Sequence, residues 1–201
     1  MLLDAQESQL VLVDCQQRLM PAVHEAAAVL ANAVRLARIA RLLDVPCWGT
    51  EENPAGLGPT VPELLPHVDT VLPKMVFSAA GVLLPRLRAP AREQQGGNAR
   101  SLPKHLRKPA AAAAAPRESI VLAGCEAHVC LLQTALDLLD EELDVWIVTD
   151  ACGSRTERNR DAAFDRLAGA GCELVTTEMV AFEWLRDAGH PRFKDVLDLV
   201  R

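Results

Sequence analysis

No apolar run in the 201-residue chain approaches the roughly 18–20 residues that a membrane-spanning helix needs, so no membrane association is expected. The opening MLLDAQESQL carries Asp4 and Glu7 and no basic group, and a secretory signal is not expected there. A basic excess is also missing. The 21 Lys and Arg stand against 27 Asp and Glu, a net charge of −6, whereas proteins that follow a phosphate backbone carry a positive footprint; no nucleic-acid partner is expected. None of the six cysteines forms a CxxC pair, and a chain of this length does not need disulfide staples, so free thiols in a reducing cytoplasm are expected. The histidines, His24, His67, His105, His128 and His190, do not pair at ligand spacing, and neither a metal nor another cofactor is expected. Hydrophobic residues make up 50% and charged residues 24%. That suffices for the core of a single domain spanning 1–201.

Six short apolar runs organise the chain, at 10–13, 45–48, 70–72, 120–123, 145–148 and 173–175. Each is apolar on both faces, as central strands of a parallel sheet are. Helical patterns lie between most of them. Over 26–43, Val29, Leu30, Val34, Leu36, Ile39 and Leu43 make one broad stripe. Further helices are predicted over 130–139, 156–168 and 191–200. Alternating strand and helix implies an α/β sandwich with helices on both faces, and ligands then bind at the carboxyl ends of the strands.

Residues 86–117 break the rhythm. Eight basic residues and one acid, Glu93, are mixed there with a Gly-Gly pair, four prolines and an alanine run. No amphipathic core face emerges, and the stretch reads as an insertion looped out of the domain.

Three reactive residues follow predicted strands: Asp14 the first, Lys74 the third and Cys130 the fourth, six residues past Gly124. One sheet edge would gather them into one crevice. Cysteine attacks as thiolate. With Cys130 opening a helix, backbone N–H groups, the helix dipole and the Lys74 ammonium are expected to lower its pKa. Asp14 could take the thiol proton and return it to a leaving amine. The N–H groups of the turn between Gly124 and Cys130 could receive an oxyanion.

The sequence resembles the isochorismatase-like cysteine hydrolases, a nicotinamidase-related family. The matching pieces are LVLVDCQQRLMPAV at 10–23, TEENPAGLGPTVPEL at 50–64, LPKMVFSAAG at 72–81, IVLAGCEAHVCLLQTALDLL at 120–139, DVWIVTDACGSR at 144–155, TTEMVAFEWL at 176–185 and HPRFKDVLDLV at 190–200. The resemblance implies a Rossmann-like three-layer sandwich around a six-stranded parallel sheet, and an Asp–Lys–Cys trio that maps onto Asp14, Lys74 and Cys130. It also implies a non-proline cis peptide at Cys125–Glu126, with the N–H groups of Glu126 and Cys130 as oxyanion donors. Ala127 stands where many relatives carry Thr. The zinc-dependent nicotinamidases of the family carry histidines after the second strand. Here TEENPAGLG has none, which points to the metal-free subgroup.

The expected function is cysteine hydrolysis of a small amide or related C–N bond through a thioester. Two alternatives are an isochorismatase-type vinyl-ether hydrolysis without a covalent step and a catalytically silent oligomeric binding protein. Gln16, Trp48, Glu51, Phe77 and His128 are candidate substrate contacts, Cys125 and Cys15 are expected to be structural, and a homo-oligomer is expected.

Overall fold

A computed structural model describes residues 2–88 and 116–201. Much of the basic insertion therefore lies outside the described residues. Its flanks are built into the domain: Leu87 ends a helix with its side chain in the core, and the Arg117 guanidinium donates to the Ala5 and Ser8 carbonyls at 2.6 and 2.8 Å.

Six parallel strands form one sheet in the order β3-β2-β1-β4-β5-β6. They are β1 Ser8–Val13, β2 Cys47–Glu52, β3 Thr70–Lys74, β4 Ser119–Cys125, β5 Asp144–Gly153 and β6 Glu173–Val175. All six residues of β1 are buried, as a central strand covered on both faces requires. The helices are α1 Ala26–Leu42, α2 Pro54–Leu57, α3 Ala80–Leu87, α4 Leu132–Asp140, α5 Glu157–Ala170, α6 Thr177–Leu185 and α7 Phe193–Val200. This is the six-stranded α/β sandwich that the alternation of strand and helix, and the family resemblance, imply.

The strand order reverses between β1 and β4. Crossovers of one hand that run in opposite directions put their helices on opposite faces. Accordingly α1 packs with α6 and α7, while α4 packs with α3 and α5. A crevice therefore opens at the carboxyl ends of β1 and β4, where such sheets bind ligands. Asp14 follows β1 and Cys130 follows β4, so two of the three candidate residues flank the switch point.

Local chemistry sets the helix ends nearby. Thr156 caps α5 by accepting the Asn159 N–H at 3.3 Å, and Gly171, at φ +105°, closes it. Thr156→Ala is expected to lower the unfolding free energy by about 1 kcal/mol, read from a urea titration.

Gly124 has a steric reason. Its φ is +122°, and a Cβ there would sit 2.1 Å from the Val13 carbonyl oxygen. Only glycine lets β4 approach β1 this closely immediately before Asp14.

Candidate active site

Asp14 leaves β1 in the left-handed region, at φ 48°. Aspartate tolerates this better than most residues. Its carboxylate is fully buried and doubly held. Oδ1 accepts the Thr50 hydroxyl at 2.7 Å and Oδ2 accepts Lys74 Nζ at 2.7 Å. Thr50 Oγ1 also accepts the Asp14 N–H at 3.2 Å, so one threonine fixes both ends of the residue.

Lys74 ends β3 with 5% of its surface exposed. Besides Asp14, Nζ donates to Glu52 Oε2 at 2.9 Å and to the carbonyls of Val76 and Phe77 at 3.2 and 3.0 Å. Burial opposes its charge, but the hydrogen bond and attraction from Asp14, followed by the bond from Glu52, outweigh it and hold the pKa above the ordinary lysine value.

Cys130 lies in a π-helical turn, Ala127–Leu131, that leads into α4. Its sulfur and carboxylate oxygens of Asp14 and Glu52 all lie within 4.8 Å of one another. Thr134 ties this turn to the loop after β3, because its hydroxyl donates to the Cys130 carbonyl at 2.7 Å and accepts the Ala79 N–H at 2.8 Å.

The expected acidification of the thiol is overturned. Burial, then the charge and hydrogen bonding of Asp14, push the Cys130 pKa up to about 12; Lys74 opposes this and Glu52 adds to it. Lys74 is shared between two carboxylates, so its charge is largely answered before it reaches the sulfur. The resting group is a neutral thiol.

The structure brings Asp14, Lys74 and Cys130 into one place and adds Glu52, which the sequence reading passed over for its neighbour. Side chains alternate along a strand, so Thr50 and Glu52 share the face that meets Asp14 and Lys74, and Glu52 lies in register with Lys74. Glu51 points away. Its Oε1 accepts the Thr60 N–H and hydroxyl at 2.6 and 2.8 Å, anchoring the loop after α2.

Gln16 is fully buried, with its amide committed to main chain. It donates to the Glu52 and Gly58 carbonyls and accepts the Glu52 N–H, so it is a brace rather than a substrate contact. Trp48 lies at the other end of β2, about 13 Å from Glu52 at the rise of a strand, and its indole donates to Gln9 Oε1 at 3.0 Å. It does not join the site. Phe77 reaches it through its carbonyl, while its side chain, like those of Met75 and Val76, faces solvent. The ring nitrogens of His128 meet Ser154 Oγ at 2.9 Å and the Asn159 amide at 3.4 Å, which links the turn to β5 and α5.

The Cys125–Glu126 peptide is cis. The Glu126 carboxylate accepts the Arg155 N–H and Nε–H, both at 3.0 Å. Cys125 and Cys15 are buried. The Asp14, Glu52 and Cys130 atoms are spaced to ligate a metal, but the Lys74 ammonium already occupies the cationic position between the two carboxylates. A groove of about 440 Å³ runs along α6 past Leu2, Met179 and Phe182, and none of the three candidate residues lines it.

A doubly wound parallel sheet with a buried carboxylate, ammonium and thiol gathered at its carboxyl edge defines a Rossmann-like α/β protein with a candidate active site. Comparison with known proteins narrows the class. The chain belongs to the isochorismatase-like hydrolase family. The family model described as "Isochorismatase domain" matches residues 98–179. Isochorismatase domain-containing protein 2A of Mus musculus is 34% identical over 196 residues, covering 98% of this chain and 84% of the relative.

Among solved structures, the chain is similar to the MAR1 ribonuclease of Caenorhabditis elegans, at TM-score 0.83 and 29% identity over 100% of this chain and 92% of that one. It is also similar to YcaC of Pseudomonas aeruginosa, a structure holding hexane-2,5-diol and covalent acrylamide, at TM-score 0.77 and 26% identity over 98% and 91%. YcaC of Escherichia coli, described as an octameric hydrolase of unknown specificity, aligns at TM-score 0.75 and 25% identity over 99% and 94%.

Proposed function

We propose that the protein hydrolyses a small amide or related C–N bond through a thioester on Cys130. The observation that carries this reading is the placement of the Cys130 sulfur within 4.8 Å of the Asp14 carboxylate, with that carboxylate held by Thr50 and Lys74. The covalent acrylamide in the Pseudomonas aeruginosa neighbour agrees with a nucleophile in this fold.

Because the thiol rests protonated, attack and deprotonation are coupled. As Cys130 Sγ bonds to the carbonyl carbon, its proton passes to Asp14. The oxyanion is received by the Glu126 and Cys130 N–H groups. Collapse breaks the C–N bond, and Asp14 gives its proton to the leaving amine. Water then adds to the thioester with its proton going to Asp14. When the C–S bond breaks, the acid is released and the sulfur takes the proton back. Lys74 Nζ, 2.7 Å from Oδ2, holds the Asp14 carboxylate in place.

The test is trapping. Incubation with a panel of activated small amides and rapid acid quench should leave an acyl mass on the Cys130 peptide of the wild type and none on Cys130→Ala. Hydrolysis that proceeds equally in Cys130→Ala removes the covalent mechanism.

A homo-oligomer in a reducing compartment accompanies this reading, supported by the octameric Escherichia coli neighbour and by six free, buried cysteines. Among the described residues no helix is long and apolar enough to cross a membrane.

A further inference from the structure

The charges around Cys130 do not balance. Two carboxylates, Asp14 and Glu52, share one ammonium, Lys74, and all three are buried. The other ionised groups close to the turn do not correct this: Glu126 is paired with Arg155, and Glu51 is turned to Thr60. Gln16 clamps the Glu52 main chain at its N–H and carbonyl, 2.9 Å each, and Lys74 Nζ holds the carboxylate at 2.9 Å. A group approaching the sulfur therefore meets a fixed formal charge of minus one in a dry setting, where Coulomb interactions are weakly screened.

We propose that Glu52 is a specificity-determining residue that excludes anions, so that the substrates reaching Cys130 are uncharged or cationic beside the reacting carbonyl. The substrate class rests on the hydrolase reading above, whereas the charge filter belongs to the surroundings of the sulfur and is measurable without turnover. Carboxylates next to the scissile bond, and phosphodiesters, fall outside this class. Asp14 is committed to the thiol proton in the mechanism; Glu52 has no proton to carry there, which leaves holding Lys74 and shaping the field as its functions.

Two alkylating probes of nearly the same shape test this. Iodoacetamide is neutral and iodoacetate anionic. Each forms an S–CH2 bond at Cys130, expels iodide and releases the thiol proton to solvent. The ratio of their rates at the Cys130 peptide, divided by the same ratio for the uncharged thiol N-acetylcysteine amide, cancels both intrinsic reactivity and thiol pKa.

The ratio is expected to favour iodoacetamide by at least about tenfold in the wild type, because a like charge close to a buried centre costs more than one in water. Glu52→Gln should bring it to within about threefold of the free thiol. Glu52→Asp, which keeps the charge one methylene further back, should fall between. A wild-type ratio equal to that of N-acetylcysteine amide overturns the filter, and so does an unchanged ratio in Glu52→Gln or, should that variant not fold, in Glu52→Asp. Protection of Cys130 from iodoacetamide by a short RNA also overturns it. Acyl trapping that fails while the discrimination persists removes the hydrolase reading alone.

Discussion

Lys74→Met is expected to lose turnover and about 3–5 kcal/mol of stability together, the cost of leaving a buried charge without its partner. The substitution keeps most of the side-chain volume, so the loss is electrostatic. Asp14 and Glu52 would face each other with no cation between them, where Lys74 now lies 2.7 and 2.9 Å from their oxygens. Against a total of about 5–15 kcal/mol for a domain of ordinary stability, that approaches unfolding. The check is a urea titration at neutral pH on the wild type, Lys74→Met, Glu52→Gln and the double variant. Adding Glu52→Gln to Lys74→Met should restore at least about 1 kcal/mol, since neighbouring charges do not contribute additively. A Lys74→Met variant as stable as the wild type, with no coupling to position 52, would show that the pair is solvated and the site is not as closed as its burial indicates.

The second large effect is alkaline. Burial raises the pKa of all six thiols in the folded chain: to about 11 for Cys172, to about 12 for Cys15 and Cys130, and upward for Cys47, Cys125 and Cys152. Unfolded, each titrates near 8.5. Above that value the unfolded chain releases protons that the folded chain keeps, so stability is fully present below about pH 8.5 and falls as pH rises toward the folded values. Each thiol contributes up to about 1.4 kcal/mol per pH unit, and six together about 8. The raised pKa of Lys74 has the same sign but acts only above about pH 10.4. The urea midpoint in reducing buffer, followed by tryptophan fluorescence, should be level from pH 7 to 8 and collapse by about pH 9.5–10. A midpoint unchanged at pH 9.5 would mean that the thiols ionise in place.

The strands were legible in the sequence because two-sided burial demands unbroken apolar runs, as at Leu10–Val13. Where a strand runs on into the functional edge the apolar signal stops first: β2 continues through Thr50, Glu51 and Glu52, and β5 through Thr149 and Asp150. Asp14, Lys74 and Cys130 could be read because each follows a strand. The residues that hold them could not: Thr50 and Glu52 meet Asp14 and Lys74 across 36 and 22 positions, and Thr134, four positions from Cys130, ties it to Ala79 across 55. Only the alternation along β2 distinguished Glu52 from Glu51. The thiol's acidity was misjudged because the sequence shows the lysine but neither the burial of the sulfur nor the two carboxylates that share that lysine.

Lys74 is gripped by the carbonyls of Val76 and Phe77, while the side chains of Met75, Val76 and Phe77 point outward. The main chain of this loop holds the Lys74 ammonium, and its side chains are left free to change. A saturation library over these three positions could diversify the rim while leaving the machinery beneath it intact, making the segment a natural starting point for redirecting the protein toward other molecules.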